Sequence, residues 1–209
     1  MKIAIFGSSG FAREVADLCH DIGYTDMVLV DGSNDADTVA GLKVLDDSHI
    51  STLASSGYDF VIAIGSPQIR RKIASQYPDL NFPNLIHPTV SFGRGQRERL
   101  EASRGNIFCA GCRLSNTIDI GDFCTFNMNV LIGHDVEIQN YVSVMSTTVI
   151  SGNVTIGDNV YIGSGALITN GKLHKKLTIE KDAFIGIGSV VLRRIREGHK
   201  VFGNPAKKI

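Results

Sequence analysis

From Phe108 to Ile168 every sixth residue is large and apolar, eleven in succession: Phe108, Leu114, Ile120, Phe126, Ile132, Ile138, Val144, Ile150, Ile156, Ile162 and Ile168. Four residues after each comes a second column of mostly small or β-branched side chains, from Cys112 and Ile118 through Cys124, Val130, Val136, Val142, Thr148, Val154 and Val160 to Ala166. Neither the 3.6-residue turn of a helix nor the alternation of a strand yields a period of six, so the spacing marks a repeat. Hexads such as Ile156-Gly157-Asp158-Asn159-Val160-Tyr161 have an aliphatic residue first, glycine second and a small residue fifth. The pattern predicts a parallel β-helix. Each hexad makes a short strand and a corner, and three hexads close a coil of about 18 residues stacked at the strand spacing.

Two interruptions bound this solenoid. The register fails at Lys172 and resumes one residue early at Ile179, Ile185 and Val191, which predicts a loop bulging from one corner. Upstream, Ile86 and Phe92 keep the six-residue step, but Phe92 and Phe108 lie sixteen apart. Residues 94–106 (RGQRERLEASRGN) are therefore expected to form an extruded loop or irregular coil, its arginines solvated or facing phosphate.

Residues 1–84 read as a small Rossmann-like α/β domain, and 85–209 as the β-helix with a C-terminal tail. Strands are expected at Lys2–Phe6, Met27–Val30 and Phe60–Ile64. Helices are expected over Ala12–Ile22 and Asp46–Ser55, and from Ser66-Pro67 to about Tyr77. Alternating strand and helix signals predict half of a doubly wound parallel sheet.

Lys+Arg and Asp+Glu both number 21, so no positive field exists to hold nucleic acid or an acidic membrane, and anionic ligands must be met locally. The opening apolar run is too short for a signal-peptide core and no span of about 20 apolar residues follows, so a cytoplasmic protein is expected. Cys109-x-x-Cys112 looks like half a zinc site, but Cys112 and Cys124 fall in the small inward column and Cys109 directly follows inward Phe108. Compact core cysteines are the better reading.

Three places carry chemistry. Gly7-Ser8-Ser9-Gly10 follows the first strand and opens the first helix, and Asp31 ends the second strand. In a doubly wound sheet this is where a phosphate meets helix N-terminal N–H groups and an acid meets a ribose or base edge. The G-x-G-x-x-G fingerprint is absent, which leaves a mononucleotide or nucleotide-sugar, a structural turn, or a nicotinamide cofactor as readings. Ile64-Gly65-Ser66-Pro67 makes a second strand-to-helix turn at the same sheet edge, and Arg70-Arg71 beyond it reads as surface charge. His134 falls in the strictest part of the repeat, at a corner between inward Ile132 and Val136, with Asn116, Gly152 and Asn170 its stack-mates at multiples of 18. The glycine beside it leaves a notch that a substrate can fill, although glycine is common at such corners. No second histidine lies within 35 residues of it, which disfavours a metal.

Together the Gly-Ser-Ser-Gly-Phe-Ala start, Val-Ile-Ala-Ile-Gly-Ser, Leu85-Ile86-His87-Pro88, Gly133-His134-Asp135 and the Val-Phe-Gly-Asn-Pro-Ala-Lys ending resemble the bacterial sugar acyltransferases. That family includes N-acetyltransferases of nucleotide-linked 4-amino-4,6-dideoxy sugars and sialic acid O-acetyltransferases. The resemblance implies a left-handed β-helix and a homotrimer with active sites between subunits, using acetyl-CoA and no metal. It implies His134 as general base, Asp135 orienting it, and Asn127 contacting the sugar. Ser9, Gly10, Phe11, Asp31 and Gly65 would lie at the nucleotide-sugar, with Ser143, Gly152 and Ser164 at acetyl-CoA. Phe11 and Ser143 stand where relatives often carry histidine. The resemblance leaves N- and O-acetylation both open.

Overall fold

The computed structural model describes residues 1–209. Five strands form the N-terminal sheet: β1 (Lys2–Phe6), β2 (Asp26–Val30), β3 (Thr38–Val39), β4 (Leu42–Leu45) and β5 (Asp59–Ile62), in the order β3-β4-β2-β1-β5. All neighbours are parallel except the β3–β4 hairpin. Strand β1 lies between β2 and β5 and is buried on both faces, which is why it reads as a continuous apolar run. The sequence gives no strand signal over residues 38–45, because the hairpin is a half-exposed edge with little apolar pattern.

Helix α1 (Gly10–Asp21) buries Ala12, Val15, Ala16, Leu18 and Cys19 on one face. Gly7, at φ +106°, turns the chain into it beneath Ala63 and Ile64, where a Cβ would sit 3.1–3.2 Å from their atoms. The helix expected over 46–55 is a 3₁₀ turn, Asp47–His49, capped by the Asp46 carboxylate, running into α2 (Ile50–Ser55). Helix α3 (Pro67–Gln76) starts as predicted, with Pro at its first position and Ser66 as its cap.

The solenoid has three faces. The first contains strands 107–108, 125–126, 143–144 and 161–162; the second 113–114, 131–132, 149–150 and 167–168; the third 119–120, 137–138, 154–156 and 177–179. Successive coils pair at an offset of 18 residues, as Leu131 with Val149 or Glu137 with Thr155. Across the loop after Ile168 the offset is 23, as Thr155 with Thr178, so five residues are inserted at a single corner. The inward column forms one cluster of 27 buried apolar residues. Corners repeat a left-handed residue every six positions, including Thr117, Phe123, Asn129, Asp135, Tyr141, Thr147, Asn153 and Asn159 at φ 56° to 61°. Asn and Asp adopt this conformation readily; Phe, Tyr and Thr do so at a cost that solenoid stacking offsets.

Residues 94–106 are not extruded. Helix α4 (Gln96–Arg99) and a 3₁₀ turn to Ala102 replace the missing strand of the third face, and Leu100 plugs the end of the core. Gln96 is fully buried, and its carboxamide both donates to the Ile118 carbonyl (2.7 Å) and accepts from the Ile118 N–H (2.9 Å), as a neighbouring strand would. The sixteen-residue gap breaks the period because a helix spans the face in a different number of residues.

Arg70 corrects the surface-charge expectation as well. It is 1% exposed and joins the two parts of the chain. Its guanidinium donates to the carbonyls of Ile64 (2.9 Å), Gly65 (3.1 Å), Phe123 (3.0 Å), Tyr141 (2.8 Å) and Val142 (3.2 Å), and to Ser143 Oγ (2.9 Å). Burial pushes its pKa down to about 10, which leaves it charged at neutral pH. Arg71 lies over the Tyr141 ring, 6.0 Å from its centroid. The N-terminal domain thus seats on the first face of the solenoid. Arg70→Met keeps the volume but strands these acceptors, and should lower the unfolding free energy by about 3 kcal/mol or more, measured by urea denaturation.

Candidate active site

His134 lies at the corner between the second and third faces, where its neighbour Asp135 takes the left-handed conformation at φ +57°. That turn brings Asp135 Oδ2 to 2.8 Å from His134 Nδ1. An ionised carboxylate only accepts, so Nδ1 carries the proton and Nε2 keeps a free lone pair. The ring lies against Gly152 in the next coil: a Cβ there would stand 2.7 Å from His134 Cε1 and Nε2. Only glycine leaves room for the imidazole in this position.

A cleft of about 540 Å³ opens around the ring, lined by Asp119, Glu137, Asn170 and Lys176 among others. Lys176, which follows the inserted loop, donates to Glu137 Oε1 at 2.7 Å; this bond holds the carboxyl below its usual range. Next to the cleft, and sharing Asn170, Gly171 and Lys176 with it, is a cavity of about 630 Å³ whose cations are Lys172, Lys175, Lys176, Arg193 and Arg194. Lys176 is paired with Glu137 and Arg194 with Glu180, which leaves Lys172, Lys175 and Arg193 as the cations of this cavity that no carboxylate engages.

The second site is a crevice of about 300 Å³ at the carboxyl ends of β1, β2 and β5, lined by Gly7, Ser8, Ser9, Asp31, Ile64 and Tyr77 among others. Asp31 Oδ2 accepts from Ser8 Oγ at 2.6 Å and Oδ1 from Ser33 Oγ at 2.7 Å, while Asn34 donates to Ser8 Oγ at 2.7 Å. Partial burial works to raise the Asp31 pKa, but the Ser8 and Ser33 hydrogen bonds outweigh it and hold the carboxyl below its ordinary value. Ser33 and Asn34 were not singled out in the sequence, though both lie within three residues of Asp31.

The other expected residues are distributed. Gly65 follows Ile64 at the crevice, with its carbonyl turned to Arg70 and Ser143. Gly10 borders a separate depression with Arg13 and Glu14, and Phe11 packs half-buried against the core of the N-terminal domain. Ser143 is fully buried on the first face, and its hydroxyl donates to Gly65 O at 2.9 Å; it does not reach the His134 cleft. Asn127 and Ser164 lie on the corner between the first and second faces, across the second face from His134 and Gly152. Cys112 and Cys124 pack inside the solenoid and Cys109 against the N-terminal core, and no group of three His, Cys, Asp or Glu side chains converges as a metal site. The first face is opposite the His134 corner of the triangle, so the nucleotide-type crevice and the imidazole of one chain lie on opposite sides of it.

Comparison with known proteins matches both halves. Residues 2–77 match the PglD N-terminal domain and 135–170 the bacterial transferase hexapeptide (six repeats). The chain is similar to WeeI from Acinetobacter baumannii AYE, at 27% identity and a TM-score of 0.90 with 100% of both chains covered. It is also similar to the acetyltransferase domain of PglB from Neisseria gonorrhoeae FA1090 in complex with acetyl coenzyme A, at 26% identity and a TM-score of 0.82, covering 100% of this chain and 98% of that one. PerB from Caulobacter crescentus, in complex with CoA and GDP-perosamine, has the same fold at 24% identity, a TM-score of 0.88, and coverage of 100% and 97%. The solenoid is a left-handed parallel β-helix.

The Asp31 network gives a pH signature. A carboxyl whose folded pKa is depressed stabilises the fold above the unfolded value, and that stability is lost as pH falls through the folded value. Asp31→Asn should therefore make the drop in thermal midpoint below about pH 4 shallower than in the wild type, as followed by calorimetry.

Proposed function

We propose that this chain, a sugar acyltransferase of the PglD and hexapeptide-repeat type, acetylates the 4-amino group of a nucleotide-linked 4-amino-4,6-dideoxy sugar for surface polysaccharide or glycan assembly. The observation that carries this reading is the imidazole at the solenoid corner, with Nδ1 engaged by Asp135 and Nε2 free over the Gly152 notch. Such a group is placed to accept a proton from a nucleophile, and the step needs neither a metal nor a covalent enzyme adduct.

In this mechanism the sugar amine attacks the thioester carbonyl carbon of acetyl-CoA while His134 Nε2 takes the amine proton. The new C–N bond forms, the C–S bond breaks, and the proton passes from His134 to the departing thiolate. Asp135 stabilises the transient imidazolium and holds the ring orientation. The residues present fit the donor: Lys172, Lys175 and Arg193 of the cavity beside the cleft have no carboxylate partner and suit its phosphates, and the cleft itself leads to the imidazole. The acetyl coenzyme A complex of a similar acetyltransferase domain supports this choice of donor.

The acceptor crevice and His134 of one chain are on opposite sides of its solenoid, so each site is completed by a second copy. Exposed Leu131 and Leu167 on the second face, with Met128 and Ile187 on its adjoining corner, form an apolar strip suited to burial between copies. In a cyclic trimer packed through this face, Asn127 and Ser164 of one copy approach His134 and Gly152 of the next. The nucleotide of the acceptor lies along Ser9 and Asp31, and its sugar reaches across to the neighbour's imidazole.

A free-thiol assay with acetyl-CoA and a panel of UDP-, dTDP- and GDP-linked 4-amino sugars tests the reading, with CMP-sialic acid and free sialic acid as the O-acetylation arm. Thiol release is expected with an amino sugar; release with sialic acid alone would replace N- by O-acetylation. His134→Ala should reduce kcat by about 10²–10⁴-fold. Gly152→Ala should push the ring from its notch and cost about tenfold or more in rate. Its thermal midpoint should move by only a few degrees, since an exposed side chain rather than the backbone gives way.

A further inference from the structure

The chain is neutral as a whole but not along its length. Residues 172–209 hold ten of its 21 Lys and Arg but only three of its 21 Asp and Glu, a local charge of +7 that the rest of the sequence cancels. Overall neutrality therefore coexists with a positive field at one end of the molecule.

The fold gathers these residues on the last coil of the solenoid. Val191, Ile195 and Val201 are the final inward side chains of the three faces, and the strand Lys207–Lys208 pairs antiparallel outside Lys200–Phe202 as the outermost rung. At the opposite end Leu100 closes the core, whereas here a cavity of about 420 Å³ lies over it, floored by Val191, Ile195 and Val201. His199, Lys207 and Lys208 stand on its rim. The three acids of this region are engaged: Glu180 by Arg194 and the Glu197 N–H, Glu197 by Lys181 at 3.2 Å, and Asp182 by the Asn159 carboxamide. Arg196, Lys200, Lys207 and Lys208 are exposed and make no ion pair. Leu192 and Phe202, 53% and 37% exposed, stand at two corners of the same coil. Strand spacing puts the outermost rung about 19 Å beyond Ser143, so the seat of the N-terminal domain does not cover it.

Unpaired cations interspersed with exposed apolar side chains match a surface that is anionic outside and apolar beneath. A nucleic acid would engage the cations but gain nothing from Leu192 and Phe202, and no Phe or Tyr ring lines the cavity to stack an unpaired base. An anionic bilayer satisfies both sets, because its headgroups attract each Lys or Arg near the surface and its headgroup–acyl boundary accepts apolar side chains. We infer that this end of the solenoid docks on a bilayer carrying anionic lipids, with Arg196, Lys200, Lys207 and Lys208 at lipid phosphates and Leu192 and Phe202 at the acyl boundary. The inference goes beyond acyl transfer at His134 and does not rest on it.

Flotation of the full chain with two kinds of vesicle tests it, phosphatidylcholine alone and phosphatidylcholine with about 30 mol% phosphatidylglycerol. At about 0.1 M NaCl, binding to the anionic vesicles should exceed binding to the neutral ones about tenfold or more, and it should fall as added salt shortens the screening length. Lys207→Glu with Lys208→Glu should cut that binding about tenfold or more. Arg196→Glu with Lys200→Glu, which leaves the outer strand intact, should do the same. Arg94→Glu with Arg97→Glu makes an equal change of charge at the opposite end and should alter binding by less than about twofold. A thermal midpoint within a few degrees of wild type reports that each variant is folded. Equal partition into the two vesicle types overturns the inference, as do equal losses from the variants at both ends. Release from the vesicles by saturating acetyl-CoA would assign these cations to the donor's phosphates and overturn it too. So would a DNA duplex of about 20 base pairs held more tightly than the anionic vesicles.

Discussion

A guanidinium with no carboxylate partner organises this chain. Removing Arg70 from water costs several kcal/mol, and only a nearly complete set of acceptors offsets that. Five carbonyls and the Ser143 hydroxyl provide it, from two distant parts of the sequence. Neither part does so alone: Ile64 and Gly65 belong to the turn after β5, and Phe123, Tyr141, Val142 and Ser143 belong to two successive coils. The charge is satisfied only when the N-terminal sheet seats in one place on the first face. Lysine lacks the planar fork that reaches several carbonyls at once, so the position is specific for arginine. The aromatic contacts around it, Phe82 edge-on to Phe123 and Phe123 stacked on Tyr141 at 5.6 Å, seal the joint against water.

This seating decides what one chain can do. It holds the Gly65 carbonyl against Arg70 and Ser143 at the joint and leaves His134 on the far corner of the triangle. The chemistry at that corner comes from backbone conformation as much as from side-chain identity. Asp135 in the left-handed region swings its carboxylate beside Nδ1, and the absence of a side chain at Gly152 leaves room for the ring against the next coil.

Much of this was legible in the sequence wherever a regular period ties a residue to its surroundings. The six-residue spacing located the inward columns, the corner position of His134, Gly152 beside it and the loop after Ile168. The strand-to-helix turns at Gly7 and Ser66 were visible because glycine, proline and serine have strong local preferences. What escaped depends on partners far apart in the chain. Gln96 reads as one polar residue of an arginine-rich stretch, and only the open edge at Ile118, 22 residues on, makes it a substitute strand. Arg70 and Arg71 look alike in sequence, yet one is buried and the other rests on a tyrosine ring. Ser143 is set in the register of an outward position, which the period assigns to the surface; docking of the N-terminal domain buries it.

The inserted loop has a consequence beyond the site that it borders. Extra length within a strand would flip every later side chain between core and solvent, but five residues added between Ile168 and Leu177 leave the pairing of Ile156 with Ile179 and of Ile168 with Val191 intact. A corner is thus the one part of the coil that tolerates a change of length without disturbing the register, and this insertion falls on the same corner as His134. Lineages of this chain are free to lengthen, shorten or recharge the wall of the cleft while the helix beneath it stays unchanged, so ligand preference and folding can evolve almost independently.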